Sequence, residues 1–407
     1  MKSSVLLRTV LVLIAVSLTG GIARADWPTY QHDSSRSGST SENAPKDPVH
    51  AWMYQSPMRP TPAWDEPALW DGYSKTHDLK NRQVFDKVFH VVESNGRVFF
   101  GSSIDEQVHC LDAKTGKAIW NFFTEGPVRL APTVHKDRVY VGSDDGFVYC
   151  LNAESGKLIW KQSPGPQTRR ISGNGRVISP WAIRTSVVIQ GDTAFCGAGV
   201  IPSEGVYVVA MDVETGEQKW KTEMTDLPAQ GYMLASKTRL YVVTSRDTPV
   251  VLDAKTGKRL FKVKGGTGGT YALLAGDTLL YGPSKTGDVN MVGEKQDVLA
   301  SFQGNHMIIA QPLSYLQSKA ELSSLDRGAY VRVYAERNDV AKKKSKAEKS
   351  LKNLKAKLKE LKDASNAKGE LQQQIKEGEN QVTSLTKKFK QLGDNLKACL
   401  KLSLIHI

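Results

Sequence analysis

The chain carries 4 cysteines in 407 residues, and no two of them are adjacent. Cys110, Cys150, Cys196 and Cys399 make no disulfide framework of the kind small secreted domains rely on. Cys110 and Cys150 hold one position in successive repeats, where neighbouring sheets would stand beyond the ~7 Å Cα limit for a bridge. Buried free thiols are expected, with an interchain bridge through Cys399 as the alternative. No Cys-x-x-Cys-His stretch offers haem attachment. The histidines are scattered without metal-ligand spacing, and no Ser-His-Asp or paired-carboxylate arrangement can be argued. No apolar run reaches the roughly 20 residues a spanning helix needs. Ready-made catalytic centres are therefore missing.

What is present is repetition. Cys110 to Trp120 reads Cys-Leu-Asp-Ala-Lys-Thr-Gly-Lys-Ala-Ile-Trp, and the phrase returns at Cys150 to Trp160, Ala210 to Trp220 and Val251 to Phe261. An apolar strand ends at Asp-Ala, a polar turn needs Gly for its left-handed residue, and a new strand carries the aromatic inward. The pattern extends upstream. Ala131 to Val134, Arg138 to Val141 and Phe147 to Leu151 are apolar runs separated by His135-Lys136-Asp137 and Gly142 to Gly146. Four strands in about forty residues predict one blade of a β-propeller. Blades are expected over 88–120, 131–160, 186–220 and 232–261, with a worn fifth over 271–302 and a sixth beginning at Met307.

The phrase Leu-Asp-Ala-x-Thr-Gly-x-x-x-Trp resembles quinoprotein-type propeller repeats. These occur in PQQ-dependent dehydrogenases and in the propeller subunit of the outer-membrane barrel assembly machinery. Asp26-Trp27-Pro28-Thr29-Tyr30 also resembles the leading segment of exported members. The resemblance covers roughly Asp26 to Asp326 and implies an all-β propeller of eight four-stranded blades, of which five to six are visible. In the dehydrogenases it implies PQQ between a Trp and adjacent cysteines, beside calcium held by Glu, Asn and Asp. The missing cysteine pair argues against that cofactor here.

Both ends carry their own signals. Lys2 and Arg8, the apolar stretch Val10 to Leu18, and Ala23-Arg24-Ala25 ahead of Asp26 predict a leader over 1–25, hence a periplasmic or secreted protein. No cysteine follows the apolar core, so a lipoprotein is not expected. The last six residues, 402–407, read as the in-frame translation of a transposase adapter common in sequencing libraries. They are expected to be artefact, with blades missing beyond Lys401.

Net charge is +13, and most of it sits in one place. Residues 338–401 hold 17 lysines against 8 acidic residues. There the period changes: Leu351, Leu354, Leu358 and Leu361, then Val382, Leu385, Phe389, Leu392 and Leu396, step by threes and fours. A break at 363–369 divides two near-equal halves. We predict an antiparallel helical hairpin or coiled coil over 337–401, about 40 Å long, inserted into a propeller spanning 26–336. A single long coiled coil is the competing reading.

Within the propeller one column stands out. Arg129 precedes the first strand of the second blade, Arg184 falls at the same register in the third, Gln230 in the fourth and Gly269 in the fifth. If first strands line the channel, these side chains converge at one mouth and could hold an anion bidentately. Arg169, Arg170, Asn174 and Arg176 lie in an unusual loop between blades two and three. The competing reading pairs all of them with acidic groups of neighbouring blades. Asp105 and the Asp144-Asp145-Gly146 stretch read as hairpin turns.

The expected function is a non-enzymatic exported scaffold, needing no cofactor and binding envelope or periplasmic proteins through propeller loops and the hairpin. The basic hairpin also fits contact with an anionic surface. Nucleic acid is not expected, because no aromatics interleave with the lysines. The alternatives are a PQQ- and calcium-dependent alcohol or sugar dehydrogenase, and a small-anion or polysaccharide binder using the arginine mouth.

Overall fold

The computed structural model describes residues 26–43, 46–58, 70–71, 76–77, 90–173, 176–225, 228–244, 247–263, 271–282, 288–293, 296–304, 306–310, 313–318, 321–360 and 366–403. The expected leader (1–25), Asn174, Gly269 and residues 404–407 lie outside them.

Six four-stranded antiparallel sheets follow one another over 92–123, 133–162, 188–223, 234–262, 271–303 and 306–403. The fold is an all-β propeller carrying a helical hairpin. Each sheet is a meander whose first strand lies at one edge, and the first strands of blades 1 to 5 stand side by side. Strand interiors such as Val139-Tyr140-Val141 and Val148 to Leu151 are buried, as expected where sheets are covered on both faces. Cys110, Cys150 and Cys196 are free and buried; burial raises their thiols to about 12, 11 and 12, which keeps them protonated.

The repeated phrase locks neighbouring blades together. Trp120 donates its indole N–H to Ala153 O (3.1 Å), Trp160 to Val213 O (3.4 Å) and Trp220 to Ala254 O (3.1 Å). Each ring covers the turn glycine of the next blade. A Cβ on Gly156 would approach Trp120 to 2.6 Å, and the same glycine has φ +68°, so both space and backbone demand glycine there.

Ahead of that glycine, Asp112, Asp212 and Asp253 cap the turn, while Asn152 takes the place in blade 2. Asp112 Oδ1 accepts from the Thr115 amide (2.8 Å) and hydroxyl (2.8 Å). Bonding to the Thr115 hydroxyl holds Asp112 below the usual carboxylate range; the Thr256 hydroxyl does so for Asp253, and the Thr215 amide for Asp212. A carboxylate lowered on folding contributes stability above its unfolded pKa and loses it as pH falls through the folded value. Urea midpoints should therefore stay level above about pH 5 and decline below about pH 4. Changing all three to Asn, which blade 2 already has, should make that acid limb shallower, with the lowered Glu125 and Asp247 carboxylates sustaining the rest.

Blade 6 is where the pattern breaks. Its third strand, Glu321–Leu325, is followed not by a tight turn but by α1 (Arg327–Glu360) and α2 (Asn366–Ala398). The chain then returns as Leu400–Ser403, pairing Leu400 with Leu325 and Ser403 with Leu322. The hairpin thus replaces the third-to-fourth strand turn. Asp326 caps α1 through the Ala329 amide (2.9 Å). The helix begins ahead of the 337 boundary that composition implies because its first turns are propeller core. The Tyr330 ring lies 4.7 Å from Phe302, and its hydroxyl donates to Ser301 O (3.0 Å).

α1 and α2 run antiparallel. Lys388 bridges to Glu336 (2.9 Å), Lys355 to Glu379 (2.6 Å), and the Arg337 guanidinium stacks 3.9 Å over Phe389. At 1.5 Å per residue the arm is about 50 Å long. Its root packs with blades 5 and 6 through Tyr330, Leu396 and Leu400.

Candidate functional site

The first strand of a blade has an open edge, and an unpaired row of N–H groups needs acceptors. Residues 27–39 supply them. Glu93, Val134, Ala235, Leu274 and Ile309 occupy the same register, one residue before the turn into the second strand. Their amides donate to Trp27 O (3.0 Å), Pro28 O (2.7 Å), Ser34 O (3.0 Å), Ser35 O (2.8 Å) and Ser37 O (3.5 Å). In blade 3 the Ser34 hydroxyl donates to Gln190 Oε1 (3.0 Å) instead. One short segment therefore touches the inner edge of all six described blades.

Arg36 pins this segment. Its side chain is 1% exposed, and its N–H groups donate to Met233 O (3.1 Å), Thr29 Oγ1 (2.9 Å), Tyr30 O (2.8 Å), Asp33 O (3.3 Å) and Ser186 Oγ (3.0 Å). Desolvation lowers the guanidinium to about 10, so it remains charged at neutral pH. Thr133 donates to Val187 O (2.6 Å), which leaves Thr29 to donate to Thr133 Oγ1 (2.9 Å). The chain of donors runs Arg36, Thr29, Thr133, Val187 O, tying the segment to blades 2 and 3. Beside it Tyr30 stacks on Tyr232 at 3.5 Å, with His90 edge-on to both.

Arg129 and Arg184 do converge, on Asp144. Arg129 Nε donates to Asp144 Oδ2 (2.7 Å), while Arg184 Nε and Nη2 donate to Oδ1 (3.0 Å) and Oδ2 (2.9 Å). The Asp144 side chain is 0% exposed and the arginines 21% and 24%. An aspartate read as a turn residue is the group that gathers the arginine column. Gln230 joins through its backbone: its amide donates to Val243 O (3.0 Å), and the next amide, Gly231, to Arg184 O (2.9 Å).

The loop arginines also go to carboxylates. Arg169 meets Glu204 (2.5 Å), Arg170 meets Glu125 (2.7 Å) and Arg176 meets Glu106 (3.2 Å). Bonding from Lys161 holds Glu125 below the usual carboxylate range, with Arg170 adding to it. The loop forms a small ribbon, Ile171–Gly173 with Arg176–Ile178, strapped from blade 1 to blade 3. Every described arginine of the two sets thus has an acidic partner.

Two contacts escaped sequence reasoning. Trp52 donates to Ala113 O (2.9 Å) and covers Gly116, so it stands where a preceding blade would place its outer-strand tryptophan. Tyr54 then packs edge-on to Phe100 at 5.0 Å, as Phe122 packs on Tyr149 at 5.6 Å. The signal was there: Trp52-Met53-Tyr54 repeats the Trp-x-aromatic spacing of Trp120-Asn121-Phe122. The second is Asp105, which bonds His109 Nε2 (3.0 Å), both side chains 6% exposed. It is an internal partner as well as a turn residue.

Blades of this layout, with the Asp-x-x-Thr-Gly turn and the docked tryptophan, define a PQQ-like propeller repeat protein. The family model described as outer membrane protein assembly factor BamB matches residues 64–194 and 148–306, more than half of the sequence, and the chain belongs to that family. No curated protein matches it. Among solved structures it is similar to the quinohemoprotein alcohol dehydrogenase of Comamonas testosteroni at 18% identity and TM-score 0.48, over 69% of this chain and 49% of that one. The corresponding figures for quinohemoprotein alcohol dehydrogenase ADHIIG of Pseudomonas putida HK5 are 17%, 0.43, 53% and 42%. For BamB of Moraxella catarrhalis they are 17%, 0.40, 58% and 70%. The chain spans less than half the length of the two dehydrogenases. No helix among the described residues is long and apolar enough to cross a membrane.

Proposed function

We propose that this protein is an exported, non-enzymatic scaffold of the cell envelope that works without a bound cofactor and holds other proteins against its propeller and its helical arm. The observation that carries the reading is the arm itself. Where other blades close with a tight turn, blade 6 extends two paired helices of more than thirty residues each. Only their root joins the core cluster of blades 5 and 6. The distal part buries nothing of the propeller, so its use lies outside this chain's own fold. Membership of an assembly-factor family supports the same direction. The inward architecture supports it too: both arginines of the column already bond the Asp144 carboxylate, and residues 27–39 occupy the inner strand edges where a small ligand would approach.

The test is excision. Replacing residues 342–388 by a short Gly-Ser linker keeps Tyr330, Leu392 and Leu396 at the root. Proteins that co-purify with the full chain from a detergent extract are expected to be lost, with tryptophan emission unchanged because the docked indoles are untouched. Unchanged partners would remove the arm from the function. Dye reduction by alcohol or sugar after reconstitution with PQQ and calcium would establish the oxidoreductase reading instead.

A further inference from the structure

The pairing of α1 with α2 decides which lysines face away. Val340 is buried, Lys344, Ala347, Leu351, Leu354 and Leu358 are half-buried, and Leu351 lies 3.3 Å from where a Cβ on Gly378 would stand. With 3.6 residues per turn, the opposite side of α1 carries Lys342, Lys346, Lys349, Asn353 and Lys357. All five are exposed. They form one straight stripe of about 22 Å.

The stripe lies in the most basic part of the molecule. Residues 342–362 contain 10 lysines and 2 glutamates. Lys343 pairs with Asp339 (2.8 Å), Lys344 with Glu348 (2.9 Å) and Lys355 with Glu379 (2.6 Å). Among the described residues the four stripe lysines make no ion pair. Nor does the arm expose any large apolar side chain among its described residues.

We propose that this stripe lays the arm along an anionic lipid surface, so that the scaffold holds its partners close to a membrane. The inference rests on the envelope reading above and names a contact for its arm. Protein interfaces are built on aromatic or aliphatic anchors and are depleted in lysine, and the stripe has the opposite composition. Mobile headgroups require no shape complementarity, only a rigid row of like charges at their own spacing. The absence of apolar side chains on the exposed face makes the contact peripheral, without insertion. Each lysine brought to such a surface strengthens partitioning roughly five-fold.

The experiment is co-sedimentation of the full chain with phosphatidylcholine vesicles, with and without about one-third phosphatidylglycerol. Binding is expected only to the anionic vesicles and should be released in molar salt, where screening shortens to about 3 Å. The variant K342Q/K346Q/K349Q/K357Q should bind about 600-fold more weakly. K117Q/K157Q/K255Q/K258Q, with the same change in net charge on the propeller, should bind like the parent. Equal binding to neutral vesicles, no binding to anionic ones, or equal loss in both variants would overturn the proposal. Retention on immobilised polyglutamate with no vesicle binding would overturn it in favour of an acidic protein partner. Because partner loss on excision is read in detergent without lipid, that result stands or falls independently.

Discussion

Arg36→Met is expected to lower the stability of the propeller by about 3–5 kcal/mol, read as a shift of the urea midpoint. The guanidinium is the common donor for Met233 O, Thr29 Oγ1, Tyr30 O, Asp33 O and Ser186 Oγ in a site it alone fills. Methionine nearly conserves volume and relieves the cost of a desolvated charge, which limits the loss. It also leaves buried oxygens of the segment and of blades 3 and 4 unmatched, at about 1–3 kcal/mol each where no water reaches them. The second effect wins because several acceptors lose one donor together. Arg36→Lys keeps charge but not the planar fork, and should cost about half as much. Deleting residues 26–40 should cost at least as much as Arg36→Met, since it also frees the amides of Glu93, Val134, Ala235, Leu274 and Ile309. A midpoint unchanged by Arg36→Met would mean that the segment is not held by this residue.

The second large effect concerns Asp144. Asp144→Ala removes the fully buried carboxylate that takes three N–H bonds from two arginines. Arg129 and Arg184 then face one another as like charges. Breaking such a pair from one side costs about 3–5 kcal/mol when all partners are buried; partial exposure of both guanidiniums places this case nearer about 3. Asp144→Asn, which keeps shape and one acceptor, should cost about 2. Arg129→Ala should cost only about 1, because Arg184 retains both of its bonds. The order Asp144→Ala, Asp144→Asn, Arg129→Ala is the check, measured by urea unfolding. Recovery of the Asp144→Ala midpoint by millimolar citrate would show that the two arginines can hold an external anion once their own carboxylate is gone. If Arg129→Ala proved the most damaging, the arginines would be acting separately.

Those two networks mark where sequence reading stopped. The blades were legible because each is specified within about forty residues: apolar alternation, a polar turn, a glycine of positive φ, an aromatic. The hairpin was legible for the same reason, since threes and fours define a seam locally. Its start was not. Arg327 to Arg337 belongs to the helix by capping at Asp326 and to the propeller by the packing of Tyr330, and neither shows in lysine content.

The arginine column was legible as a register, and the competing assignment, pairing with carboxylates, describes the contacts found. Which carboxylate gathers them was hidden, because Asp144 has the local signature of any Asp-Gly turn. A salt bridge between residues 40 apart leaves no periodic trace. Trp52 could have been found from its spacing to Tyr54, yet without the Thr-Gly turn ahead of it the phrase was incomplete. Most hidden of all was the lacing by residues 27–39. Its bonds join backbone to backbone across as many as 272 positions, as from Ile309 to Ser37, and main-chain N–H and C=O groups are the same in every residue. The sequence by itself determined the blade, its repetition and the basic helical arm, since these follow from side-chain period. Tertiary structure alone decided what fills the inner edges of the propeller and which carboxylate its arginines share, since those follow from which distant groups arrive within hydrogen-bond distance of each other.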